Sequence, residues 1–166
     1  AEDDQSGVSV SLSSDGTTIA IGALTNDGNG SDSGHVRIYA WNSAASAWIQ
    51  QGADIDGEAA GDLSGWSVSL SSDGTTVAIG TINSDGNGDS SGHVRIYEWN
   101  GDSSAWEQQG ADIDGEAAGD NSGNSVSLSS DGTTVAIGAY ANDGNGTQSG
   151  HVRIYAWNST TSAWEQ

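Results

Sequence analysis

The fold of this chain is decided by the stretch SVSLSSDGTTVAIG at residues 67–80. Serine alternates with aliphatic residues in its first half, and a second alternation follows at residues 76–80. A period of two predicts a half-buried β-strand. An Asp-Gly pair between two such runs, here Asp73 and Gly74, predicts the tight turn of a hairpin. The stretch therefore predicts two antiparallel strands.

This hairpin belongs to a repeat of 58 residues. His35, His93 and His151 are spaced by that period, and so are two sets of tryptophans. In the middle copy a third strand is predicted at residues 93–99 and a weaker fourth strand at residues 105–109. Four short antiparallel strands per repeat are typical of one β-propeller blade. We therefore expect an all-β fold, a β-propeller of three four-stranded antiparallel blades.

The blades are predicted at about residues 1–53, 54–111 and 112–166 of one repeat array, 1–166. One face of each hairpin is large and aliphatic and the other is small, so we expect the large face of one blade to pack on its neighbour. Three blades are fewer than the ~4–8 of an ordinary ring. An uncovered apolar face implies a partner. We expect that partner to be further copies of the chain or additional blades of the same polypeptide, giving a larger ring or a filament.

The composition excludes several classes of function. The formal net charge is −20, and the chain has no cysteine. Such a charge repels nucleic acid and anionic membranes, and no apolar run approaches the ~18 residues of a membrane span. We therefore expect no nucleic-acid partner and no membrane insertion. Abundant serine, threonine, glycine and aspartate without cysteine or lysine favour an extracellular or cell-surface location.

Three motifs carry a resemblance to a known family: Ser64–Leu70, Val77–Thr81 and Gly92–Tyr97. They resemble the FG-GAP repeats of integrin-α-like propellers, which occur in secreted and surface repeat proteins of bacteria and microalgae. The resemblance covers essentially the whole chain and implies blade architecture. The calcium loop that this family carries between its first two strands is replaced here by Ser-Ser-Asp-Gly-Thr-Thr, so no metal is expected at that position.

A different loop, which occurs twice in the chain, offers candidate metal ligands. Carboxylates follow one another at relative positions 1, 3, 5 and 9 of a glycine-containing segment, and the segment occurs twice. The residues are Asp54, Asp56, Glu58 and Asp62, and again Asp112, Asp114, Glu116 and Asp120. Calcium prefers six to eight oxygen ligands, so the spacing predicts a calcium site. The alternative is a solvated acidic loop whose aspartates cap turns.

The chain has three arginines, one in each repeat. Arg37, Arg95 and Arg153 share a face of the third strand with the histidines and with tyrosines. A single cation among many carboxylates predicts an ion pair or hydrogen-bonded bridge between blades. A clamp for an anionic ligand is the alternative. A three-histidine zinc site is not expected, since equivalent positions of successive blades diverge around an axis.

Trp66 and three asparagines complete the candidate sites. Trp66 has Val8 and Asn124 at the equivalent positions, so the repeat does not require it, and we predict that it binds a ligand. Asn-x-Ser/Thr sequences predict glycan acceptors in a secreted eukaryotic protein. They occur at Asn29, Asn145 and Asn158.

These patterns predict a protein that is not an enzyme. The sequence has no Gly-x-Ser-x-Gly elbow between a strand and a helix, and three near-identical sites are unusual for catalysis. We therefore expect a structural or adhesive module that self-associates through its blade faces and is stabilised by calcium. The alternative is a lectin-like propeller that binds carbohydrate.

Overall fold

The computed structural model describes residues 3–166, which form fourteen β-strands and no helix. The first sheet contains β1 (Ser9–Leu12), β2 (Thr18–Ala23), β3 (His35–Asn42), β4 (Ala47–Gln50) and β5 (Ile55–Asp56). The second contains β6 (Ser64–Leu70), β7 (Thr76–Thr81), β8 (His93–Asn100), β9 (Ala105–Gln108) and β10 (Ile113–Asp114). The third contains β11 (Ser122–Leu128), β12 (Thr134–Ala139), β13 (His151–Asn158) and β14 (Ala163–Glu165).

Each sheet is an antiparallel meander of four consecutive strands, as the repeat predicts. The first strands β1, β6 and β11 contact one another in succession and form the inner edge of the array, whereas β4, β9 and β14 lie at the outer edge. The sheets stack as three blades of a β-propeller and do not close into a ring. The expected fold class is confirmed.

The short strands β5 and β10 were not expected from the sequence. Ile55 pairs with Val36 and Asp56 pairs with His35, so the segment leaving one blade lies along the third strand of that blade. Ile113 repeats the arrangement on β8. The alternation of two aspartates around a buried isoleucine is a weak strand signal, which the acidic character of the segment obscured.

The core lies between the blades. Leu70 and Ile79 of the second blade pack on Val36 and Ile38 of the first, and these side chains are buried. The same contact recurs between the second and third blades, where Ile137 takes the place of Ile79. The predicted large face is therefore an inter-blade face. Its partner face is small on the second strand but carries valine and isoleucine on the third.

Tryptophans join the outer edges of the blades. Trp99 and Trp106 lie opposite each other on β8 and β9, with ring centroids 5.5 Å apart. The indole nitrogen of Trp106 donates to the Gln51 carbonyl of the preceding blade at 2.9 Å. Gly52 has a positive φ of 80°, and a Cβ there would meet both rings at 3.0 Å. Glycine at this position lets the chain pass directly under the tryptophan pair.

The predicted hairpin turns are held by a recurrent aspartate. Asp131 accepts hydrogen bonds from the Ser129 hydroxyl at 2.6 Å and from the Thr133 amide at 3.1 Å, and Asp15 and Asp73 are bonded in the same way. The Ser129 hydroxyl, followed by the Thr133 amide and hydroxyl, lowers the pKa of Asp131 to about 2. These bonds stabilise the ionised carboxylate in the folded state alone.

We expect Asp131 to make the free energy of unfolding depend on pH in the acidic range. Its folded pKa lies below the ordinary value, so its contribution is present above about pH 4 and is lost as the pH falls towards 2. Asp131→Asn should therefore flatten the fall in unfolding free energy between pH 4 and 2, measured by urea denaturation. Asp102→Asn, in an exposed loop, is the control with the same change of charge. Equal slopes for both variants would contradict the assignment.

Candidate functional site

The connectors between blades bring acidic side chains to the start of each third strand. Residues 54–62 lead from the first blade to the second, and residues 112–120 lead from the second to the third. Because β5 and β10 hold the beginning of each connector against β3 and β8, the first carboxylates lie beside the histidine of the blade just completed. Glu58, farther along its connector, reaches the next blade instead.

The middle blade therefore receives carboxylates from two connectors. Ligand atoms of Glu58, His93 and Asp112 all lie within 4.8 Å of one another. His93 Nδ1 is 3.9 Å from an Asp112 oxygen, and the imidazole is 2% exposed. Metal–ligand bonds are about 2.0–2.6 Å long, so donors at these separations can surround one ion. One imidazole and two carboxylates form a group that can hold a divalent cation.

Arg95 fixes the position of Glu58. Its Nη2 donates to the Asp56 carbonyl at 2.8 Å, and its Nη1 is 3.4 Å from a Glu58 oxygen. The guanidinium is buried, and it lies 5.7 Å from the Tyr97 ring centroid. Arg95 thus ties the incoming connector to the strand that carries His93.

Ser84 distinguishes the middle blade from its neighbours. Its hydroxyl lies 2.7 Å from His93 Nδ1, and both side chains are buried. Asparagines occupy the equivalent positions in the other blades, and Asn142 donates to Asp120 at 2.8 Å. The shorter serine does not repeat that contact and bonds to the histidine instead. The sequence signal for this residue is a single departure from the 58-residue repeat, and it was not among the predicted site residues.

The environment of His93 favours its neutral form. Burial lowers the pKa of His93 from 6.5, and the charge of Arg95 lowers it further, while Asp112, Glu58 and Asp114 oppose the shift. A neutral imidazole has a free electron pair on one nitrogen, which is the form that ligates metals or accepts a proton. The His93 imidazole is therefore neutral at neutral pH.

A cavity of about 500 Å³ opens beside this cluster on the middle blade, between the connector that enters this blade and the start of the connector that leaves it. Its wall is strongly acidic. The carboxylates and imidazole that line it are those of Glu58, Asp62, Asp85, Asp89, His93, Asp112 and Asp114. A cavity of this volume accepts a small molecule. Its charge favours cationic or neutral ligands over anions.

The outer blades carry partial versions of the cluster. In the first blade His35 groups with Asp54 and Asp56 within 4.8 Å, but Asp54 is also held by Arg37 at 2.7 and 2.9 Å. In the third blade His151 Nδ1 lies 3.5 Å from Glu116. Among residues 3–166, the middle blade alone joins a histidine to carboxylates from both adjacent connectors.

The structure distributes the predicted calcium ligands among different partners. Asp54 and Asp56 face His35, whereas Glu58 faces the next blade. Asp62 accepts the Ala59 amide and Asp120 accepts the Ala117 amide, so both cap turns. The Asp114 carbonyl accepts Arg153 Nη2 at 2.6 Å. The linear spacing placed these carboxylates in one site, but the connector spans two blades and divides them.

The three arginines differ in their contacts. Arg95 and Arg153 each bind the connector that enters their blade, through Glu58 and Glu116 respectively. Arg37 has no such connector within the described chain and pairs with Asp54, next to the β5 strand of its own sheet. Arg95 and Arg153 thus form the predicted bridge between blades, whereas Arg37 pairs within its own sheet.

The remaining candidates lie in different settings. Trp66 is partly exposed in the bulge of β6 and is not part of the acidic cavity wall. The Asn29 amide donates to the carbonyls of Gly57 and Glu58, so it braces a connector. Asn145 is exposed, and the Asn158 amide donates to Glu165.

Comparison with known families supports the reading of the repeats. The sequence model described as FG-GAP repeat matches residues 1–39, 54–97 and 111–155, which together exceed half of the chain. No curated protein matches the chain in sequence. Within residues 3–166 no helix is long and apolar enough to cross a membrane.

Solved structures with the same fold include enzymes. A putative 6-phosphogluconolactonase from Bacteroides uniformis has a TM-score of 0.60 and 15% identity, and it covers 94% of this chain and 38% of its own. The periplasmic gluconolactonase of Pseudomonas aeruginosa has a TM-score of 0.62 and 15% identity, with coverage of 95% and 41%. A protein from Lactobacillus plantarum gives 0.56 and 13%, with coverage of 94% and 39%.

This comparison corrects the functional prediction. We predicted a non-enzymatic adhesion module, with a carbohydrate-binding propeller as the alternative, and two of the similar structures are instead named as lactonases. Near-identical repeats do not exclude one specialised site, because repeats alike in sequence differ in their surroundings. The chain spans about two fifths of the length of these structures. At such identities the similarity establishes the fold alone.

We expect Arg95 to contribute far more to stability than Arg37. Arg95→Ala removes a buried guanidinium and leaves Glu58 and the Asp56 carbonyl without their cation, which should cost about 2–4 kcal/mol. Arg37→Ala removes a partly exposed pair worth about 1 kcal/mol or less. Urea unfolding of the two variants measures the difference. A smaller loss for Arg95→Ala than for Arg37→Ala would show that the connector is held by other contacts.

Proposed function

Because the chain belongs to the FG-GAP repeat family, whose blades here form a propeller also found in lactonases, we propose that it hydrolyses a neutral sugar lactone with the help of a divalent cation. The observation that carries this proposal is the cluster of Glu58, His93 and Asp112 beside an acidic cavity. A buried imidazole and convergent carboxylates in a small-molecule cavity are the features of a candidate functional site.

The charge of the cavity selects among lactones. Six carboxylates line it, and the whole chain carries a net charge of −20. A phosphorylated lactone is an anion and would be repelled at long range, whereas a neutral one is not. The hydroxyl groups of a sugar can donate hydrogen bonds to the carboxylates of Asp85 and Asp89. We therefore propose gluconolactone-like substrates without phosphate.

The proposed roles follow from the contacts of each residue. Glu58, His93 and Asp112 would hold a divalent cation, and Arg95 keeps Glu58 in place. A divalent cation in such a site polarises a carbonyl oxygen and lowers the pKa of water. Asp114, on the same wall, accepts the proton of the attacking water as its oxygen adds to the carbonyl carbon. The ring C–O bond then breaks, and the proton passes to the departing ring oxygen.

The contact with Ser84 and the burial of the imidazole both affect how His93 Nδ1 would bind a cation. The Ser84 hydroxyl lies 2.7 Å from Nδ1, so a cation bound to this nitrogen would take the place of the hydroxyl. The hydroxyl would then be free to donate to the substrate carbonyl or to the water. Low exposure keeps the imidazole neutral and removes the need to expel a proton when the cation binds.

The donor set also bears on the identity of the cation. The sequence predicts calcium, which prefers six to eight oxygens. A cluster with one imidazole and two carboxylates suits zinc or manganese better, because imidazole is a preferred ligand of transition metals. We therefore propose that Zn²⁺ or Mn²⁺ binds more tightly than Ca²⁺.

Cation binding should raise the melting temperature of the chain. We expect Zn²⁺ or Mn²⁺ to raise it more than Ca²⁺ at equal concentration, and a chelator to reverse the change, because an ion that binds the folded state alone stabilises it. Calorimetric titration should show affinity at least ~10-fold weaker for Glu58→Gln. Glu116→Gln, at the equivalent position of the third blade, is the control. No shift with any of the three ions would exclude the metal site.

Lactone hydrolysis is measurable by the acid that it releases. In a pH-stat assay with glucono-1,5-lactone we expect cation-dependent hydrolysis above the spontaneous rate. Glu58→Gln and Asp112→Asn should lower the catalysed rate by about 10²-fold or more, as expected when groups that activate water are lost. In the Glu58→Gln variant the half-exposed side chain keeps its shape and Arg95 keeps its hydrogen bond to the Asp56 carbonyl, so the variant should fold, which urea unfolding checks.

Two further arms sharpen this experiment. Glu116→Gln should hydrolyse as the wild type does, since it lies outside the central cluster. The 6-phosphate lactone should react more slowly than the neutral lactone, and the difference should shrink as salt screens the charges. A spontaneous rate with Zn²⁺, Mn²⁺ and Ca²⁺ alike would overturn the proposed activity while leaving cation binding intact.

A further inference from the structure

The two ends of the blade array expose apolar side chains whose equivalents in the other blades are buried between blades. On the first blade Val10 and Leu12 are 60% and 57% exposed, whereas Leu70, the equivalent of Leu12, is 7% exposed. On the third blade Val152 and Ile154 are 66% and 59% exposed. Their equivalents on β8 are 0% and 2% exposed. Neighbouring blades therefore account for the burial of both faces.

These two faces correspond to the two sides of the contact that consecutive blades make inside the chain. In the described chain, the large face of a blade packs on the β2–β3 face of the blade before it, and this contact occurs twice. The first blade offers an unused large face at Val10 and Leu12. The third blade offers an unused β12–β13 face at Val152 and Ile154. One end of the molecule can thus pack on the other end of a second molecule.

The hydrogen bonds between consecutive blades also recur with the period of 58 residues. Ser9 and Ser67 donate their hydroxyls to the carbonyls of Gly65 and Gly123, each in the next blade. By this period, the hydroxyl of Ser125 faces the position that a Gly7 carbonyl of a following blade would take. The Ser72 amide donates to the Ser130 carbonyl in the same manner. Polar and apolar groups at the two ends are therefore in matching register.

We propose that a second copy of this chain docks its first blade on the third blade of the first copy. The contact is head-to-tail, because different surfaces meet, and it continues the two interfaces inside the chain. It is independent of the lactonase proposal. The net charge of −20 on each copy opposes the contact. Association should therefore strengthen as salt screens the repulsion.

The test is the mass of the chain in solution, measured by light scattering at several protein and salt concentrations. We expect dimers or larger species in 0.5 M salt, a concentration at which the Debye length falls to roughly 4 Å. Leu12→Glu and Ile154→Glu should each weaken association by about 100-fold, because each places a charge in an apolar contact. Both positions are exposed within one chain, so neither change should impair folding. Ser43→Glu, in an exposed outer loop, is the control.

Mixing the two variants distinguishes a head-to-tail contact from a symmetric one. Leu12→Glu retains an intact third blade, and Ile154→Glu retains an intact first blade. Their mixture should therefore form a one-to-one dimer that neither variant forms alone. A monomeric wild type at every concentration and salt would overturn the proposal. So would variants that associate as the wild type does, or a mixture that stays monomeric.

Discussion

Face-to-face packing of consecutive blades is the contact on which the structure depends. Ile38 of one blade and Ile79 of the next are fully buried in it, and the pattern recurs one blade later. A single four-stranded sheet has no second layer, so it buries its apolar faces only against neighbours. This arrangement explains how a chain with 34% hydrophobic residues and a charge of −20 folds. Each aliphatic side chain packs in a thin interface between two blades instead of in one wide core.

The same stacking determines where chemistry can take place. Each connector begins against the blade that it leaves and ends against the blade that it enters, as the pairing of β5 and the contact of Glu58 with Arg95 illustrate. A histidine at the start of a third strand therefore receives carboxylates from two connectors only where blades lie on both sides. His93 meets this condition, whereas His35 and His151 meet half of it each. Within residues 3–166, near-identical repeats thus produce one complete cluster and two partial ones.

One substitution adds to this asymmetry. Ser84 stands where the other blades have asparagine, and it exchanges a bond to an aspartate for a bond to the buried imidazole. The cavity of about 500 Å³ lies at this blade, and its wall includes Ser84. The acidic wall gives the cavity a strong negative potential, since low-dielectric surroundings concentrate the field. Repeat symmetry is therefore no argument against a specialised site.

The sequence by itself determined the four main strands of each blade, their hairpin turns and the blade architecture, because these depend on contacts within one repeat; it did not predict β5 and β10. Alternation from Val68 to Ile79 and the turn at Asp73 and Gly74 are local signals, and the structure follows them. The sequence also identified the carboxylates that could ligate a metal. Only the tertiary structure decided which of them meet, because Glu58 and Asp112 are 54 residues apart and approach His93 through blade stacking and the pairing of β10. Linear spacing does not encode that approach, since it depends on how one sheet rests on the next.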